Sequence, residues 1–222
     1  MGKDVSHLLE AESVSYPHFA ALYNRMMRQA PVRHVFDPLR REIVGWTRGI
    51  VLEVGAGGGQ NFPFYDPTYV QLVEAVEPDA AMLVAAEQSL AEAAVPILLS
   101  RAPVEALPFS AAQFDSAVAT LVFCSVREPM QGLSEIWRVL KPGGSLFLLE
   151  HVRAQGKLAA WVQDVLVPLT TRCMGNCHWN RATERMIAET GFQITQVRQL
   201  SGGLQPLLLI QATRLARLPG LS

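Results

Sequence analysis

The stretch IVLEVGAGGGQNFPFYDPTY, residues 50–69, begins as an apolar strand and continues into five small residues, four of them glycine. An apolar run that breaks directly into glycines is typical of a buried strand entering a tight turn. Glycine at Gly55, Gly57 and Gly59 lets the chain turn and leaves backbone N–H groups uncovered, because no Cβ stands in the way of a ligand. An ordinary strand–helix turn also carries glycines, so close packing and close approach of a ligand both remain explanations.

The rest of the chain alternates short apolar runs with helical stretches. Helical spacing predicts helices within 6–47, at 79–93 with Asp79 as its cap, and at 129–140, which KPGG ends. Strands are predicted at 50–54, 69–76, 96–100, 114–119 and 145–150. Strands separated by helices predict right-handed crossovers and a mainly parallel, doubly wound α/β sheet.

The end of the chain follows a different pattern. GFQITQVRQLSGGLQPLLLIQATR contains two strand patterns with no helix between them. A direct connection of this kind favours an antiparallel pair, so we expect the sheet to finish in an antiparallel hairpin at its edge.

Composition and charge exclude several classes of protein. The 222 residues are 50% hydrophobic, which predicts a single domain, and a formal net charge of −1 argues against a nucleic-acid-binding surface. There is no apolar run of about 18 residues, so no integral membrane segment is expected, and the first residues do not resemble a secretory signal. The three cysteines form no disulfide framework, which predicts a reducing, cytoplasmic location.

Two acids and two prolines bear on what the glycine turn binds. Glu53 lies inside the first strand, where a buried carboxylate costs several kcal/mol unless a cationic or donor-rich group is near. Glu77 ends the second strand about 20 residues beyond the glycines, the separation at which an acid binds a ribose diol. Pro63 and Pro67 shorten the helix after the turn, which disfavours a dinucleotide whose pyrophosphate needs a helix N-terminus. A nicotinamide-dependent oxidoreductase is therefore the weaker alternative.

Four motifs occur in an order that resembles the class I S-adenosylmethionine-dependent methyltransferases. They are VLEVGAGGGQN, VEPDAAML, VEALPFSAAQFDSAV and EIWRVLKPGGSLFLLEHV, spread over roughly residues 50–152. NFPFYDP, TLVFCSV and GNCHWNRATERMIAETGF also resemble the methyltransferase-like group that includes alkyl thiol S-methyltransferases. The resemblance implies a Rossmann-like fold and S-adenosyl-L-methionine as cofactor. It implies one methyltransferase domain over 1–222, divided into a helical cap (1–47), a cofactor-binding core (48–152), a lid and substrate segment (153–190) and terminal strands (191–222).

The same resemblance implies roles at the methionine and ribose ends of the cofactor. Gly55, Ala56 and Gly57 would pass under the methionine part, and Glu53 would help to hold its ammonium group, directly or through water. The alternative for Glu53 is a structural role that fixes the loop. Glu77 would accept both ribose hydroxyls; its alternative is a favourable charge at the start of the helix at 79–93.

The remaining implied contacts concern adenine and the methyl group. Pro103 stands where the family often has an aspartate for the adenine amine, so backbone groups near Ala102 and Val104 would take over adenine recognition. Leu121 would lie beside the transferred methyl, with core packing as its alternative. The implied cofactor set is completed by Gly59, Asn61 and Pro78.

The candidate catalytic residue is His151, which follows the fifth strand at the edge where ligands bind. Histidine titrates near neutral pH and is a natural general base. The alternative is a structural histidine held by a carboxylate such as Glu150 or by backbone.

RCMGNCHWNR, residues 172–181, contains soft or borderline metal ligands at Cys173, Cys177 and His178. Structural zinc needs four ligands, usually in pairs, so this spacing fits poorly and we expect no metal. Asn180 is predicted instead to cap the helix RATERMIAET, which ends at Gly191.

These observations favour methyl transfer to a small acceptor. Residues 153–180 are rich in Trp, Leu, Val and Pro, and with the N-terminal helices they could cover a lipophilic small-molecule substrate. A thiol is the preferred acceptor; a small amine, a phenol or a lipid head group is the alternative. An interaction protein that binds the cofactor without catalysis is the alternative of another class.

Overall fold

A seven-stranded sheet forms the centre of the molecule in the computed structural model, which describes residues 17–173 and 176–216. Its strands are β1 Gly49–Val54, β2 Val70–Val76, β3 Ile97–Ser100, β4 Phe114–Thr120, β5 Leu140–His151, β6 Phe192–Ser201 and β7 Leu207–Arg214. The α-helices are α1 Pro17–Met27, α2 Ala30–Gly45, α3 Ala80–Ser89, α4 Pro129–Val139, α5 Lys157–Cys173 and α6 Thr183–Glu189.

The strand order is β3-β2-β1-β4-β5-β7-β6. The first five strands in this order are parallel, and β7 runs antiparallel to both β5 and β6. The predicted parallel sheet with a terminal antiparallel hairpin is therefore confirmed. Because the strand order reverses between β1 and β4, a ligand crevice is expected beyond the carboxyl ends of these two strands.

Apolar residues cover both faces of the sheet, as a parallel sheet between helices requires. One buried cluster includes Leu52 and Phe123 and lies on one face. The other includes Val51 and Leu149 and lies on the opposite face, where α2 contributes Ile43. Successive residues of a strand point to opposite faces, so each central strand supplies both clusters.

Local signals located several element boundaries correctly. The Asp79 carboxylate accepts hydrogen bonds from Ala81 N at 2.7 Å and Met82 N at 3.2 Å, which caps the start of α3. After the glycine turn only a 3-10 helix, Phe62–Phe64, forms, as the two prolines predict. Helix α4 ends at Val139, one residue before the predicted end.

Two predicted boundaries were wrong. Asn180 does not cap α6, which begins at Thr183 without a side-chain cap. The Asn180 amide instead donates to Asp164 Oδ1 on α5 at 2.8 Å, so a tertiary partner binds the group that was expected to cap. Strand β5 begins at Leu140 rather than near 145, because Leu140 pairs with Phe114 of β4 and brings KPGG into the strand.

The predicted helical region 6–47 contains α1 and α2, and its first residues, up to position 16, lie outside the described residues. Over the ranges that the structure describes, no helix is long and apolar enough to cross a bilayer.

Candidate active site

The turn after β1 is tied to the end of β2. Gly55 N and Ala56 N both donate to Val76 O, at 2.9 and 3.1 Å. Gly55 has φ +65°, and an added Cβ would lie 2.5 Å from Val122 Cγ2. Close packing within the protein is therefore enough to require glycine at position 55.

The surroundings of Gly57 are different. Its φ is +54°, but an added Cβ would meet only the end of the Gln60 side chain, Oε1 at 3.2 Å. At Gly59, by contrast, the Phe62 ring and Ser89 Cβ would lie within 2.8 Å of an added Cβ. The space next to Gly57 is bounded by a flexible side chain rather than by packed protein, which is what a ligand cradle requires.

Glu53 lies fully buried under this turn and is held by donors. Its Oε1 accepts from Asn61 Nδ2 at 3.0 Å, and its Oε2 accepts from the Tyr65 hydroxyl at 2.7 Å. Burial raises the pKa of Glu53 to about 7, against the opposing effects of these two bonds and of Arg40. The sequence predicted a donor-rich or cationic neighbour for this carboxylate, and the structure supplies both. These contacts fix the 61–65 segment.

The cationic neighbour is Arg40 of α2, a residue that the sequence analysis missed. Its Nη1 donates to Asn61 Oδ1 and to Thr120 Oγ1, both at 2.9 Å, and its side chain is buried. Asn61 Nδ2 also donates to Thr120 Oγ1, at 3.2 Å. The network joins α2, the glycine turn and the end of β4. The buried carboxylate of Glu53 was a signal for a cation, but nothing in the sequence indicated which one.

Glu77 lies at the end of β2, immediately before Pro78, and faces the glycine turn. Its Oε2 accepts from Gly57 N at 2.9 Å, and its Oε1 accepts from Asp79 N at 3.1 Å. Burial raises the pKa of Glu77 to about 7, although both backbone bonds oppose the rise. Each carboxylate oxygen can accept a second hydrogen bond, so the group retains the capacity to bind a diol.

The segment predicted to contact adenine begins beside Glu77. Glu77 N donates to Ser100 O at 3.1 Å, at the end of β3. Ala102 and Val104 are buried just beyond, and Pro103 precedes a 3-10 helix, Val104–Ala106. The fold therefore brings 102–104 to the same edge of the sheet as the glycine turn.

Helix α1 lies over the glycine turn and supplies two further residues that the sequence analysis missed. Gln60 Nε2 donates to Asn24 Oδ1 at 3.0 Å, and an added Cβ on Gly58 would lie 2.2 Å from that oxygen. Burial raises the pKa of Tyr23, against an opposing effect of Arg40. An amphipathic helix gives no local sign of which polar side chain it will direct at a neighbouring loop.

The acceptor side of the crevice begins where β4 ends. Leu121 has φ +60°, which is uncommon for a residue with a side chain. Its N–H donates to Leu149 O at 2.7 Å, and its side chain packs partly buried against the cluster that contains Val51. Leu121 is thus held at the tip of the strand and contributes to packing, and its place beside the methyl group stays a prediction.

Glu150 and His151 end β5 and point to opposite faces. The buried Glu150 Oε1 accepts from Val122 N and Phe123 N, both at 2.8 Å. The carboxylate therefore holds the loop after β4 and does not hold His151, contrary to the alternative that named it.

His151 is half-buried on the other face. Its Nδ1 has no hydrogen-bond partner among the described residues. Burial lowers the pKa of His151, against an opposing effect of the Pro206 carbonyl. A neutral imidazole with an unused nitrogen can accept a proton near neutral pH.

Helix α5 is attached to the end of β5 through one buried side chain. Gln163 Oε1 accepts from Ala154 N at 2.8 Å, and its Nε2 lies 3.1 Å from both Val152 O and Trp179 O. Four large apolar side chains of the helix are exposed: Leu158, Trp161, Val165 and Leu169. More than half of the surface of each of these side chains is therefore open to solvent.

Of the three ligands considered for a metal, the side chains of Cys177 and His178 belong to the described part of the chain. Among the side chains that the structure describes, no three His, Cys, Asp or Glu residues form a group that could hold an ion. His178 Nε2 faces Asn176 Oδ1 at 3.2 Å, and the side chain of Cys173 lies outside the described part. The expectation of no metal stays a prediction.

Comparison with known proteins assigns this crevice to a family. A family model described as a methyltransferase domain matches residues 52–148. Thiol S-methyltransferase TMT1B of Rattus norvegicus is 32% identical over 183 residues, which cover 80% of this chain and 73% of that protein. This protein belongs to the S-adenosylmethionine-dependent methyltransferases. The resemblance seen in the sequence motifs is thereby confirmed, and so is the cofactor that it implied.

Two further similarities bear on the methyltransferase. Phosphatidylethanolamine N-methyltransferase of Cereibacter sphaeroides is 30% identical over 167 residues, covering 73% of this chain and 80% of that protein. The solved structure of geranyl diphosphate methyltransferase in complex with GPP and sinefungin has a TM-score of 0.63 at 14% identity, covering 84% of this chain and 80% of that one. At that identity the likeness shows the fold.

S-adenosylmethionine supplies a methyl group that its positive sulfonium has already activated. The crevice of the methyltransferase fits such a cofactor: the space at Gly57 is open, and two buried carboxylates border it. Both Glu53 and Glu77 have pKa values raised by burial to about 7, so a bound cation or a pair of hydroxyl donors would favour their ionised forms.

Proposed function

We propose that this methyltransferase methylates the thiol of a small, lipophilic acceptor. The observation that carries the proposal is the similarity to thiol S-methyltransferase TMT1B, which extends over most of the chain rather than over the cofactor-binding core alone. A small-molecule substrate also agrees with the formal net charge of −1, which argues against a strongly basic protein that binds nucleic acid. Free cysteines are consistent with a reducing, cytoplasmic setting.

We propose that the cofactor lies across the ends of β1 and β2. Gly55, Ala56, Gly57 and Gly59 would form the turn beneath its methionine part, and Glu77 would accept the ribose hydroxyls. Glu53 and Asn61, which lie beneath the turn, would either hold the ammonium group of the cofactor or fix the shape of the turn. The backbone at 102–104, together with Pro78, would border the adenine, and Leu121 would border the methyl group.

For this reaction the protein has to position the acceptor and to exclude water from the site. Methyl transfer needs the acceptor in line and about 3 Å from the methyl carbon, which a binding site can arrange without a catalytic triad. When a thiolate approaches a sulfonium, opposite charges cancel as the transition state forms. An apolar, closed site therefore favours this reaction, because water stabilises the separated ions more than the transition state.

His151 is the group that we assign to the acceptor's proton. A free thiol has a pKa of about 8.5 and is mostly protonated at neutral pH. The neutral imidazole, with its unpartnered Nδ1 on the face that carries Leu207 and Leu149, is able to take that proton. Arg153, two residues beyond His151, is paired with Asp164 at 2.7 Å.

We further propose that residues 1–47 act as a cap and 153–190 as a lid in a single methyltransferase domain. The contacts of α1 and α2 with the glycine turn support the cap. The attachment of α5 to β5 through Gln163 supports a lid that moves as a unit with the acceptor side.

A second candidate acceptor is the amine of a lipid head group. It is favoured by the similarity to phosphatidylethanolamine N-methyltransferase, which covers as much of that protein as the thiol enzyme comparison does. An amine attacking a sulfonium relocates one positive charge and gains less from a dry site. The two candidates therefore differ in the product and in the pH dependence of the rate.

The test is a product screen by mass spectrometry. Purified enzyme and S-adenosylmethionine are incubated with matched alkyl thiols, amines, phenols and phosphatidylethanolamine vesicles, with the Gly57→Val variant as the control for cofactor-dependent turnover. We expect a methyl thioether from the thiols, at a rate that rises with pH toward the thiol's pKa. Methylation of amines, phenols or lipid with no thioether from any thiol would overturn the thiol assignment and leave the methyltransferase itself in place.

A further inference from the structure

Two loops on the acceptor side bring a pair of cysteines together. The loop after β4 contains Cys124, and the connection between α5 and α6 contains Cys177. His178 N donates to Cys124 O at 2.6 Å, so the residue after one cysteine is bonded to the backbone of the other. Arg181 Nη1 also donates to Phe123 O. This backbone contact places the two cysteines side by side, close enough for each thiol to shift the pKa of the other.

The two thiols are unlike each other. Cys124 is 5% exposed, whereas Cys177 is partly exposed. The Cys177 thiol and burial raise the pKa of Cys124 well above its ordinary value. The pKa of Cys177 is lowered by its neighbour Cys124 and also by Arg181. Burial and Glu150 oppose this lowering. An accessible thiol with the lower pKa is the one that attacks disulfides, and a buried neighbour is suited to a second step.

A carboxyl oxygen without a partner completes the cluster. Glu150 is fully buried, and its Oε1 is occupied by the two backbone N–H groups of Val122 and Phe123. Its Oε2 is buried with no hydrogen-bond partner among the described residues. Burial raises the pKa of Glu150, and Cys124 adds to the rise, so this carboxyl and that thiol are close enough to affect each other. A raised pKa favours the protonated, uncharged carboxyl, so Glu150 adds little negative charge beside the two thiols.

We propose that Cys177 and Cys124 act in turn on a small disulfide and release it as two thiols. The Cys177 thiolate attacks one sulfur of R–S–S–R, which forms Cys177–S–S–R and expels R–S⁻. Cys124 then attacks Cys177 Sγ and releases its proton to solvent, which forms the Cys124–Cys177 disulfide and expels the second R–S⁻. The leaving thiolates take up protons from solvent.

The electrons balance within this sequence. The substrate disulfide gains two electrons as its S–S bond breaks, and the two cysteines lose two as theirs forms. A dithiol reductant resets the enzyme by the reverse exchange. The chemical class of substrate is an uncharged, lipophilic disulfide.

The position of the pair connects this exchange to methyl transfer, a connection that rests on the proposed function. Cys124 Sγ lies 3.7 Å from Leu121 O, and Leu121 is the residue that we place beside the methyl group. A thiol released at this junction would therefore appear next to the acceptor side of the crevice. The oxidised form of an acceptor would become a usable acceptor at the same site.

The test follows release of thiopyridone from 2,2′-dipyridyl disulfide, in a Cys173→Ser background that leaves only the proposed pair. We expect two equivalents of thiopyridone per chain and a Cys124–Cys177 disulfide in the peptide map. Cys124→Ser should release one equivalent and keep a thiopyridyl group on Cys177. Cys177→Ser should react about 100-fold more slowly, because only the buried thiol remains.

The outcomes distinguish this proposal from the methyl-transfer proposal. A stable thiopyridyl adduct on Cys177 with Cys124 intact, or first reaction at Cys124, would overturn the exchange. So would a Cys173–Cys177 link in the parent chain, provided that circular dichroism shows each variant folded. Exchange without methylation of any thiol would overturn the thiol acceptor alone, because the thiopyridone readout does not depend on S-adenosylmethionine.

Discussion

The cofactor side and the acceptor side of the crevice each contain a buried glutamate, and the two carboxyl groups differ in their hydrogen bonds. Glu53 has both oxygens occupied by donors, with Arg40 close by. Glu150 has one oxygen occupied and one without a partner in the described part of the chain. Two more buried polar atoms on the acceptor side, His151 Nδ1 and Trp179 Nε1, also lack partners there.

The two sides therefore differ in how fully their buried polar atoms are hydrogen-bonded. On the cofactor side the hydrogen bonds hold a turn in a shape that leaves open space at Gly57. On the acceptor side, unpartnered buried atoms have a cost that the fold must offset elsewhere. The unpartnered Nδ1 of His151 lies on the acceptor side, which is why we place the acceptor's proton transfer at His151.

The largest effect that we expect comes from filling the open space on the cofactor side. Gly57→Val should abolish measurable S-adenosylmethionine binding in calorimetry, because the side chain would occupy the cradle. Gly203 is the matched control: it also has positive φ, +73°, but nothing lies near its added Cβ. Gly203→Val should cost a similar backbone strain of about 1–2 kcal/mol and leave cofactor binding intact. Equal binding by both variants would contradict the cradle.

Glu53→Gln tests whether the occupied carboxylate is costly when ionised. The pKa of Glu53 is about 7 in the folded protein against 4.5 ordinarily, so the folded state binds the proton more tightly between those values. The free energy of unfolding should therefore fall as pH rises from 4.5 to 7 and stay lower above, by up to about 3 kcal/mol for this residue. Glu77 contributes a fall in the same window, since its pKa is also raised to about 7.

The measurement is urea unfolding of the cofactor-free protein between pH 5 and pH 8. Glu53→Gln should remove part of the fall with pH, and the remainder belongs to Glu77 and Glu150, whose pKa values burial also raises. Glu92→Gln, at an exposed position, should leave the profile of the parent. If Glu53→Gln retained the full fall of the free energy of unfolding with pH, ionisation of Glu53 would not be its cause.

Glu77→Ala should weaken S-adenosylmethionine binding by about 1.5–3 kcal/mol, the value of hydrogen bonds to a charged group. The control is Glu74→Ala on the same strand, three residues away and therefore on the other face. Calorimetry on both variants gives the comparison. A loss shared equally by the two would indicate damage to β2 rather than loss of the ribose contact.

On the acceptor side, His151→Ala should reduce the rate of thiol methylation by about tenfold at pH 7. A thiol with a pKa of 8.5 is only about 3% ionised at that pH, so a base can gain about 30-fold at most. The loss should shrink as pH passes the thiol's pKa, because the acceptor then ionises without help. A loss that is the same at every pH would assign His151 a structural role.

The smallest expected effect is that of metal removal. Prolonged chelation and dialysis should leave both the rate and the melting temperature unchanged, since neither side of the crevice is proposed to hold an ion. Stoichiometric zinc in the purified protein, lost together with activity, would instead make Cys173, Cys177 and His178 a metal site.

Much of the cofactor side could be predicted from the sequence because its signals are local. Positive φ at Gly55 and Gly57, the cap at Asp79 and the short helix after Asn61 each depend on a few neighbouring residues. The alternation of apolar runs and helices fixed the parallel sheet, and the absence of a helix before the last strand fixed the hairpin. The need of Glu53 for a donor followed from the cost of burying a carboxylate.

Only the tertiary structure decided which distant residues meet. Arg40 binds Thr120, which lies 80 positions further along the chain. Cys177 lies beside Cys124, although two helices and a strand separate them in the sequence. The sequence predicted Asn180 as a helix cap, but in the structure its amide donates to Asp164. Local sequence sets backbone geometry through sterics and hydrogen bonds within a few residues, whereas the partner of a buried polar side chain is chosen by how complete elements pack, which no short stretch encodes.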